Sequence, residues 1–427
     1  MPLEAKILKH KARVAVIGLG YVGLPLAVAF ARKGFAVVGI DTNAARVARI
    51  RNLKSYIADV SNRDISVVMK AGRFEVSTDV SLLAHADAVL ICVPTPLKRK
   101  YTPDISFIVS ALKSLAQYLK KGALVVLEST TYPGTTEELI TPALEQNGLK
   151  AGKDFYVAFS PERIDPGNST FKVTQIPKVV GGLTPRCTKL AALLYRQIIP
   201  QVHVVSSPKA AEMTKLLENS FRIVNIGWIN EIAQMCHKLG INVWEVIEAA
   251  KTKPFGFMPF YPGLGVGGHC IPEDPLYLYW KAKRYGFNSK FIKLAADINA
   301  HMPHYVLHRI EALLKRPLTS ARILVVGVTY KKDVKDLRKS PSLRLIELLK
   351  SHGHVDYHDP LVPYVKLGGI DLSSVVLTPK AIKAYDCVVI AVDHTKVNYA
   401  LIRKQAKKIF DVKNVYQGID EGKVVKL

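Results

Sequence analysis

The sequence predicts an α/β fold with two doubly wound parallel-sheet domains joined by a long central helix. Three observations lead there. Apolar runs of strand length alternate with helical patterns through the first ~200 residues. A stretch from Lys209 to Leu239 then shows helical spacing with no strand signal and no internal proline. The strand–helix alternation restarts at Ile323 and continues toward the end of the chain.

The elements follow in order. The first strand, Val14–Ile17, opens an uncharged run of 18 residues to Ala31 that imitates a membrane anchor behind Lys6, Lys9, Lys11 and Arg13. Gly18, Gly20, Gly23 and Pro25 interrupt it and no small-residue cleavage site follows, so it reads as a strand, turn and helix, with no membrane partner. Val37–Ile40, Ala88–Val93, Leu124–Leu127 and Tyr156–Phe159 are apolar on both faces, as buried parallel strands are. Met213, Leu216, Leu217, Phe221, Val224, Trp228 and Ile232 give the long helix its period. At 1.5 Å per residue it reaches ~45 Å, enough to join two domains and pack against its equivalent in a partner subunit. A Gly/Pro-rich stretch and a helical segment through Asn299 precede the strands Ile323–Val326, Val355–Tyr357, Cys387–Ala391 and Ile409–Asp411. Domains are thus expected at 1–207, 208–300 and 301–427.

The 427 residues suit two to four domains at ~100–200 residues each. Hydrophobic residues at 49% and charged ones at 22% exclude a disordered or collagenous chain. Lys and Arg exceed Asp and Glu by 60 − 35 = 25, which favours anionic partners without choosing among nucleic acid, membrane and phosphorylated ligands. Five scattered cysteines, none in a C-x-x-C pair, argue for a reducing, cytoplasmic compartment and against a disulfide scaffold or structural zinc.

Gly18-Leu19-Gly20-Tyr21-Val22-Gly23 follows a strand and opens a helix, the context in which glycines allow a tight turn and close approach of a pyrophosphate. Asp41 ends the second strand 41 − 23 = 18 residues later, where a carboxylate accepts the ribose hydroxyls and disfavours a 2′-phosphate. NAD is therefore expected over NADP, although the cationic Arg46 stands near. Cys270 lies in Gly263-Leu264-Gly265-Val266-Gly267-Gly268-His269-Cys270-Ile271-Pro272-Glu273-Asp274, too rich in glycine for a regular element and able to close around a ligand. Cys92, Cys187, Cys236 and Cys387 have no such setting. Lys215 and Asn219 are i and i+4 on the long helix and share a face. His301, His304 and His308, and His352, His354, His358 and Asp359, lack a metal-binding pattern, so no metal is expected. The basic run Lys331–Arg338 follows the Val325-Val326-Gly327 strand end and suits a phosphorylated ligand.

These motifs, with Val93-Pro94-Thr95-Pro96, Glu128-Ser129-Thr130 and Ser160-Pro161-Glu162-Arg163, give the chain a nearly end-to-end resemblance to the nucleotide-sugar 6-dehydrogenases, which oxidise UDP-hexoses or UDP-N-acetylhexosamines to uronic acids. The resemblance implies an NAD-binding Rossmann domain, a central dimerising helix carrying a homodimer or higher homo-oligomer, and a Rossmann-like domain for the UDP moiety. It implies that Cys270 attacks the C6 aldehyde, and that its thiohemiacetal is oxidised to a thioester. Lys215 and Asn219 would stabilise the oxyanion, Asp274 and Thr130 hold a water, and Glu162 assist hydrolysis as a base. Gly18, Gly20, Tyr21, Val22, Gly23, Asp41, Arg46, Thr95, Thr130 and Arg338 are the cofactor residues expected. Glu162, Arg163, Lys215, Asn219, Arg222, Tyr261, Gly267 and Lys332 are those expected for substrate, Lys332 at the diphosphate.

Gly-Gly-His-Cys-Ile-Pro is similar to the N-acetylhexosamine branch. The Pro254–Pro262 run and Ser160-Pro161-Glu162-Arg163-Ile164-Asp165-Pro166-Gly167 resemble enzymes acting on UDP-N-acetylglucosamine, with N-acetylmannosamine, N-acetylgalactosamine and glucose counterparts as alternatives. Leu264 stands where Pro is usual and Glu273 where an aliphatic residue is usual. A nucleic-acid-binding protein on the same fold is the competing class, but Lys and Arg are dispersed and no nucleic-acid motif is evident. An epimerase would need a Tyr-x-x-x-Lys couple that the N-terminal domain lacks.

Overall fold

The computed structural model describes residues 1–57, 59–98, 102–146, 148–163, 173–418 and 422–427. It divides into two compact units, Met1–Glu218 with Trp280–Tyr285, and Asn219–Tyr279 with Gly286–Leu427. The 208–300 segment is thus shared between them.

In the first unit the strands are β1 (Arg13–Ile17), β2 (Ala36–Ile40), β3 (Phe74–Ser77), β4 (Ala88–Ile91), β5 (Leu124–Leu127), β6 (Tyr156–Phe159), β7 (Lys178–Gly182) and β8 (Val202–Val204). They form one sheet in the order β3-β2-β1-β4-β5-β6-β7-β8. The first six, 3-2-1-4-5-6, have the Rossmann order, with the switch point between β1 and β4. Val14 pairs with Val37 on one side and Ala88 on the other, so the strand ends carrying Gly18, Asp41 and Val93 lie along one edge. β4, β5 and β6 are buried at every position, as an apolar run in a parallel sheet requires.

The parallel sheet has one exception, because β7 runs antiparallel to β6. Parallel neighbours need a crossover of a dozen or more residues, usually a helix. Between β6 and β7 the described residues contain no α-helix, only the short 3-10 turn Val173–Gln175. The Pro185–Arg196 helix then returns the chain to β8, parallel to β7.

The long helix runs Pro208–Leu239, one residue earlier than its apolar period indicates, because Pro suits the first helical position. The division into units falls inside it, between Glu218 and Asn219.

In the second unit β9 (Arg322–Val326), β10 (His354–His358), β13 (Cys387–Ile390), β14 (Ile409–Asp411) and β15 (Val424–Lys426) form a parallel sheet, ordered β10-β9-β13-β14-β15. This 2-1-3-4-5 arrangement is the other common doubly wound order. β11 (Tyr364–Leu367) and β12 (Ile370–Ser373) make a separate antiparallel hairpin. The helical segment expected to end at Asn299 instead runs Lys290–Leu314 through an internal Pro303, so the expected boundary at 300 falls inside a helix. Its apolar face continues past the proline with Val306, Leu307 and Ile310 buried in the core. Pro303 has no N–H for the carbonyl of Asn299. Gly265 packs against that oxygen so closely that a Cβ there would lie 2.4 Å from it.

Candidate active site

The first unit holds the glycine turn at which the sequence places a cofactor. The Gly18 N–H donates to the Ile40 carbonyl at 2.7 Å, which closes the turn after β1. Gly18 has φ +91°, and a Cβ would sit 2.6 Å from the Cys92 carbonyl oxygen. A Cβ on Gly23 would lie 1.9 Å from the Gly18 oxygen, whereas one on Gly20 would meet nothing within 4 Å. Two glycines therefore serve packing, and the middle one leaves open space for a ligand. Val22 is the N-cap of the Gly23–Arg32 helix, which has no side-chain cap and no acid in its first turn. Its N–H groups and dipole suit a pyrophosphate.

Asp41, 6% exposed, follows β2. Its carboxylate accepts the Leu19 N–H at 2.9 Å and the Asn43 N–H at 2.8 Å, so it also ties down the glycine turn. Arg46 lies 3.5 Å from Asp41 and beside the Tyr56 ring, so its charge is already matched. Tyr21 is exposed, Thr95 is buried after β4, and Thr130 is half-buried after β5. The glycine turn, the uncapped helix and the ribose-side carboxylate fit a dinucleotide.

Lys215 and Glu162 also belong to this unit and are joined directly. The Lys215 ammonium donates to the Glu162 carbonyl at 2.5 Å. Glu162 Oε1 accepts the Arg163 N–H at 2.7 Å, and its Oε2 is 3.3 Å from Lys178 Nζ. Lys178 lies 2.5 Å from Glu128, which also accepts the Tyr195 hydroxyl. Burial lowers a lysine's pKa, but Glu128 and Glu162 outweigh it and hold Lys178 above its usual range. Arg163 pairs with Glu218 at 2.6 Å and donates to the Pro177 carbonyl. Residues 164–167 of the Ser160–Gly167 motif lie outside the described residues.

The second unit presents the nucleophile candidate. The Glu273 and Asp274 N–H groups both donate to the Cys270 carbonyl, at 3.1 and 2.8 Å, which winds the glycine loop into the Asp274–Arg284 helix. Asp274 is buried, and the Asn219 amide donates to its carboxylate at 2.6 Å. A Cβ on Gly267 would lie 2.7 Å from Tyr330 Cβ and 2.8 Å from the Lys339 oxygen, and the Gly268 N–H donates to the Arg338 carbonyl. The cysteine loop is thereby laid against the 330–339 loop. Glu273 pairs with Lys339 at 2.6 Å across that seam, which accounts for an acid at this position. Leu264 is buried in the core of this unit with Met302 and Val306.

Other expected residues are placed as follows. Cys270 is half-buried, whereas burial pushes the Cys92 thiol well above its usual range and that of Cys387 up to about 12. Arg222 is exposed. Tyr261 donates to Glu248 at 2.7 Å and stacks on Trp244. Lys332 pairs with Asp393 at 3.2 Å, and Arg338 grips Asp336 with Nε and Nη2. His301 and His304 stack, and among the described residues no group of three or more His, Cys, Asp or Glu can hold a metal ion.

Lys178 escaped the motif reading. The available signal was a lysine at the head of an apolar strand run, since a strand buried at all five positions leaves its lysine in need of a buried counterion.

Known proteins line up along nearly the whole chain. It is 38% identical over 423 residues to the UDP-N-acetyl-D-glucosamine 6-dehydrogenase of Pseudomonas aeruginosa, covering 96% of this chain and 98% of that one. It is 36% identical over 431 residues to the UDP-N-acetyl-D-mannosamine dehydrogenase of Pyrococcus horikoshii, covering 96% and 100%. A solved UDP-D-ManNAc dehydrogenase structure from P. horikoshii superposes with a TM-score of 0.88 at 34% identity, over 97% of this chain and 98% of that one. Residues 12–199 match an NAD binding domain, 209–301 a central domain and 324–418 a UDP binding domain of one family. Residues 12–199 thus form an NAD-binding domain, and the chain belongs to the UDP-glucose/GDP-mannose dehydrogenase family.

Proposed function

We propose that this protein oxidises C6 of a UDP-N-acetylhexosamine, with UDP-N-acetyl-D-glucosamine preferred, to the uronic acid. The balance is R–CH₂OH + 2 NAD⁺ + H₂O → R–COO⁻ + 2 NADH + 3 H⁺. The observation that carries this reading is the glycine loop that leads from Cys270 into the helix headed by Asp274, whose carboxylate accepts the Asn219 amide.

NAD, when bound, accepts the two hydrides that leave C6 in turn. The Cys270 thiolate adds to the aldehyde carbon between them, forming a C–S bond whose carbon becomes the thioester carbonyl. Lys215 retains donors beyond the one on the Glu162 carbonyl, and Asn219 keeps an N–H beyond the one on Asp274. Both serve the oxyanion. Asp274 and Thr130 hold the water, Glu162 takes its proton, the water oxygen bonds to C6, and the C–S bond breaks to release the thiolate. Lys332 meets the substrate diphosphate and Arg338 the cofactor, while Arg163, Arg222, Tyr261 and Gly267 serve the substrate. Functionally the chain divides at 1–207, 208–300 and 301–427. It works in the cytoplasm, in keeping with five free cysteines, and as a homodimer or higher homo-oligomer through the long helix.

The preference for the glucosamine sugar rests on the Pro254–Pro262 run and on the Pseudomonas relative; the mannosamine relative is nearly as similar. A pocket shaped for one acetamido configuration loses on the order of 1–3 kcal/mol, roughly ten- to a hundredfold in kcat/KM, with the wrong sugar. NADH formation with UDP-N-acetylglucosamine, its galacto and manno epimers and UDP-glucose tests this. A tenfold or larger preference for any of the other three refutes the sugar assignment, and no NADH with any refutes the function.

A further inference from the structure

The steps above leave Lys178, Glu128 and Tyr195 without a task, although they form a buried cluster that reaches Glu162 through Lys178. The Lys178 side chain is 4% exposed, that of Glu128 fully buried and that of Glu162 12%. Taking an ammonium and a carboxylate out of water is costly, and one-to-one pairing with good hydrogen bonding is the least costly arrangement. Lys178 and Glu128 achieve that alone at 2.5 Å, with the Tyr195 hydroxyl on the second Glu128 oxygen. A purely structural pair would be complete there. Lys178 nevertheless extends to Glu162 Oε2, while the Arg163 N–H holds Oε1, so both oxygens of that carboxylate are fixed in direction.

We propose that Lys178, anchored by Glu128 and Tyr195, is a positioning residue that orients Glu162 for hydrolysis of the Cys270 thioester. The proposal rests on the reading of Glu162 as the base. In that step the water oxygen bonds to the acyl carbon, the water proton passes to the carboxylate and the thiolate departs. A base contributes fully only when aimed and deprotonated. The ammonium on one oxygen and the Arg163 N–H on the other do the aiming.

The groups around Glu162 come from several elements. Among the described residues they include Lys178 at the start of β7, Glu128 after β5 and Cys92 after β4, with Tyr195 of the Pro185–Arg196 helix set against Glu128. Lys215 donates to its carbonyl, and Glu218 pairs with the adjoining Arg163. Burial keeps Tyr195 and Cys92 protonated, and Lys178 is a cation set against both Glu128 and Glu162. Without it two carboxylates face each other, and like charges raise the pKa of one.

The test compares Lys178→Met, Lys178→Arg, Lys178→Met with Glu128→Gln, and Glu162→Gln in the full chain with saturating UDP-N-acetylhexosamine and NAD. Quenched samples are read by intact mass for an acyl adduct on Cys270, and the hydrolysis rate is followed against pH. Lys178→Met is expected to slow hydrolysis by about ten- to a hundredfold, within the ~10²–10⁴ that a positioned base supplies. The acyl-enzyme then accumulates and the acid limb of the profile moves to higher pH. Lys178→Arg is expected to restore most of the rate. The variant that also carries Glu128→Gln has no unmatched carboxylate pair to threaten folding, and it too is expected to hydrolyse slowly. Wild-type hydrolysis with an unmoved profile in that double variant, while Glu162→Gln is slow, overturns the role of Lys178 and leaves Glu162 as base. Wild-type hydrolysis in Glu162→Gln overturns the base assignment and the proposal together.

Discussion

At the scale of single residues, the Asp41 carboxylate has the capacity to serve two ends. It accepts the Leu19 and Asn43 N–H groups, which fixes the glycine turn, and a carboxylate has about four acceptor sites, enough to receive ribose hydroxyls as well. A 2′-phosphate would meet that buried charge, and Arg46, already set against Asp41, gives it little relief. We expect kcat/KM for NAD to exceed that for NADP by about tenfold or more, and Asp41→Asn to narrow the ratio. Parity in the wild type overturns this. Cys270→Ser is expected to fold and bind both ligands but fail to complete the second oxidation, because a serine hydroxyl has a far higher pKa and adds poorly to an aldehyde without its own base. Two NADH per sugar at a near-normal rate would remove Cys270 from its role. Asp41 and Cys270 could be named as candidates from the sequence because each sits in a glycine context that has a local reason. Lys178 was not, since its partner Glu128 is 50 positions away and only the fold joins them.

Among the elements, long periodic segments were easy to read and short or one-sided ones were not. The long helix was clear from its apolar spacing, and β1, β4, β5 and β6 from uninterrupted apolar runs. β3 escaped because Phe-Glu-Val-Ser alternates buried and exposed positions over four residues, and β8 because two of its three are exposed. The loop after β10 holds a further device that the sequence presented only as a cluster of histidines. Asp359 accepts the Val328, Leu361 and Val362 N–H groups and lies 3.1 Å from His394 Nε2. His394 Nδ1 in turn accepts the Asp333 N–H, which ties the end of β10 to the loops after β9 and β13. Burial by itself would raise the Asp359 carboxyl, but the hydrogen bonds from His394, Val328 and Leu361 outweigh it and hold it below the usual range. A folded value below the unfolded one means that its stabilisation is fully present above about pH 4 and is lost as pH falls through the lower folded value. Asp359→Asn is expected to cost on the order of 1–3 kcal/mol at neutral pH, where an amide faces donors that need an acceptor. Urea unfolding at neutral pH and near pH 3 should show that difference shrinking in acid, and an equal difference at both would exclude the ionised carboxylate as its source.

For the whole molecule the question is what covers the long helix. Ile223, Gly227 and Asn230 face the Lys290–Leu314 helix: a Cβ on Gly227 would touch Ala295 at 3.0 Å, and the Asn230 amide donates to Asn299 at 2.9 Å. Ile229, Ala233 and Cys236 are buried with Val243, Trp244 and Ile247 of the next helix. A third face carries Phe221, Trp228, Met235 and Leu239, spaced seven, seven and four residues apart and 45–64% exposed. Seven residues are nearly two turns, so these side chains align in one stripe. Soluble monomers seldom leave such a stripe bare. A two-fold axis would lay it against its own copy, each chain covering the other with the same residues. The net charge of +25 on each protomer opposes that approach, so the association is expected to tighten as salt screens the repulsion. Light scattering should give about twice 47.2 kDa for the wild type. Trp228→Glu with Met235→Glu should give one protomer mass with unchanged circular dichroism, because each carboxylate would be buried against an apolar face and close to its own symmetry copy. A wild type at 47.2 kDa, or a double variant that stays at twice that mass, would rule out this face as the self-association surface.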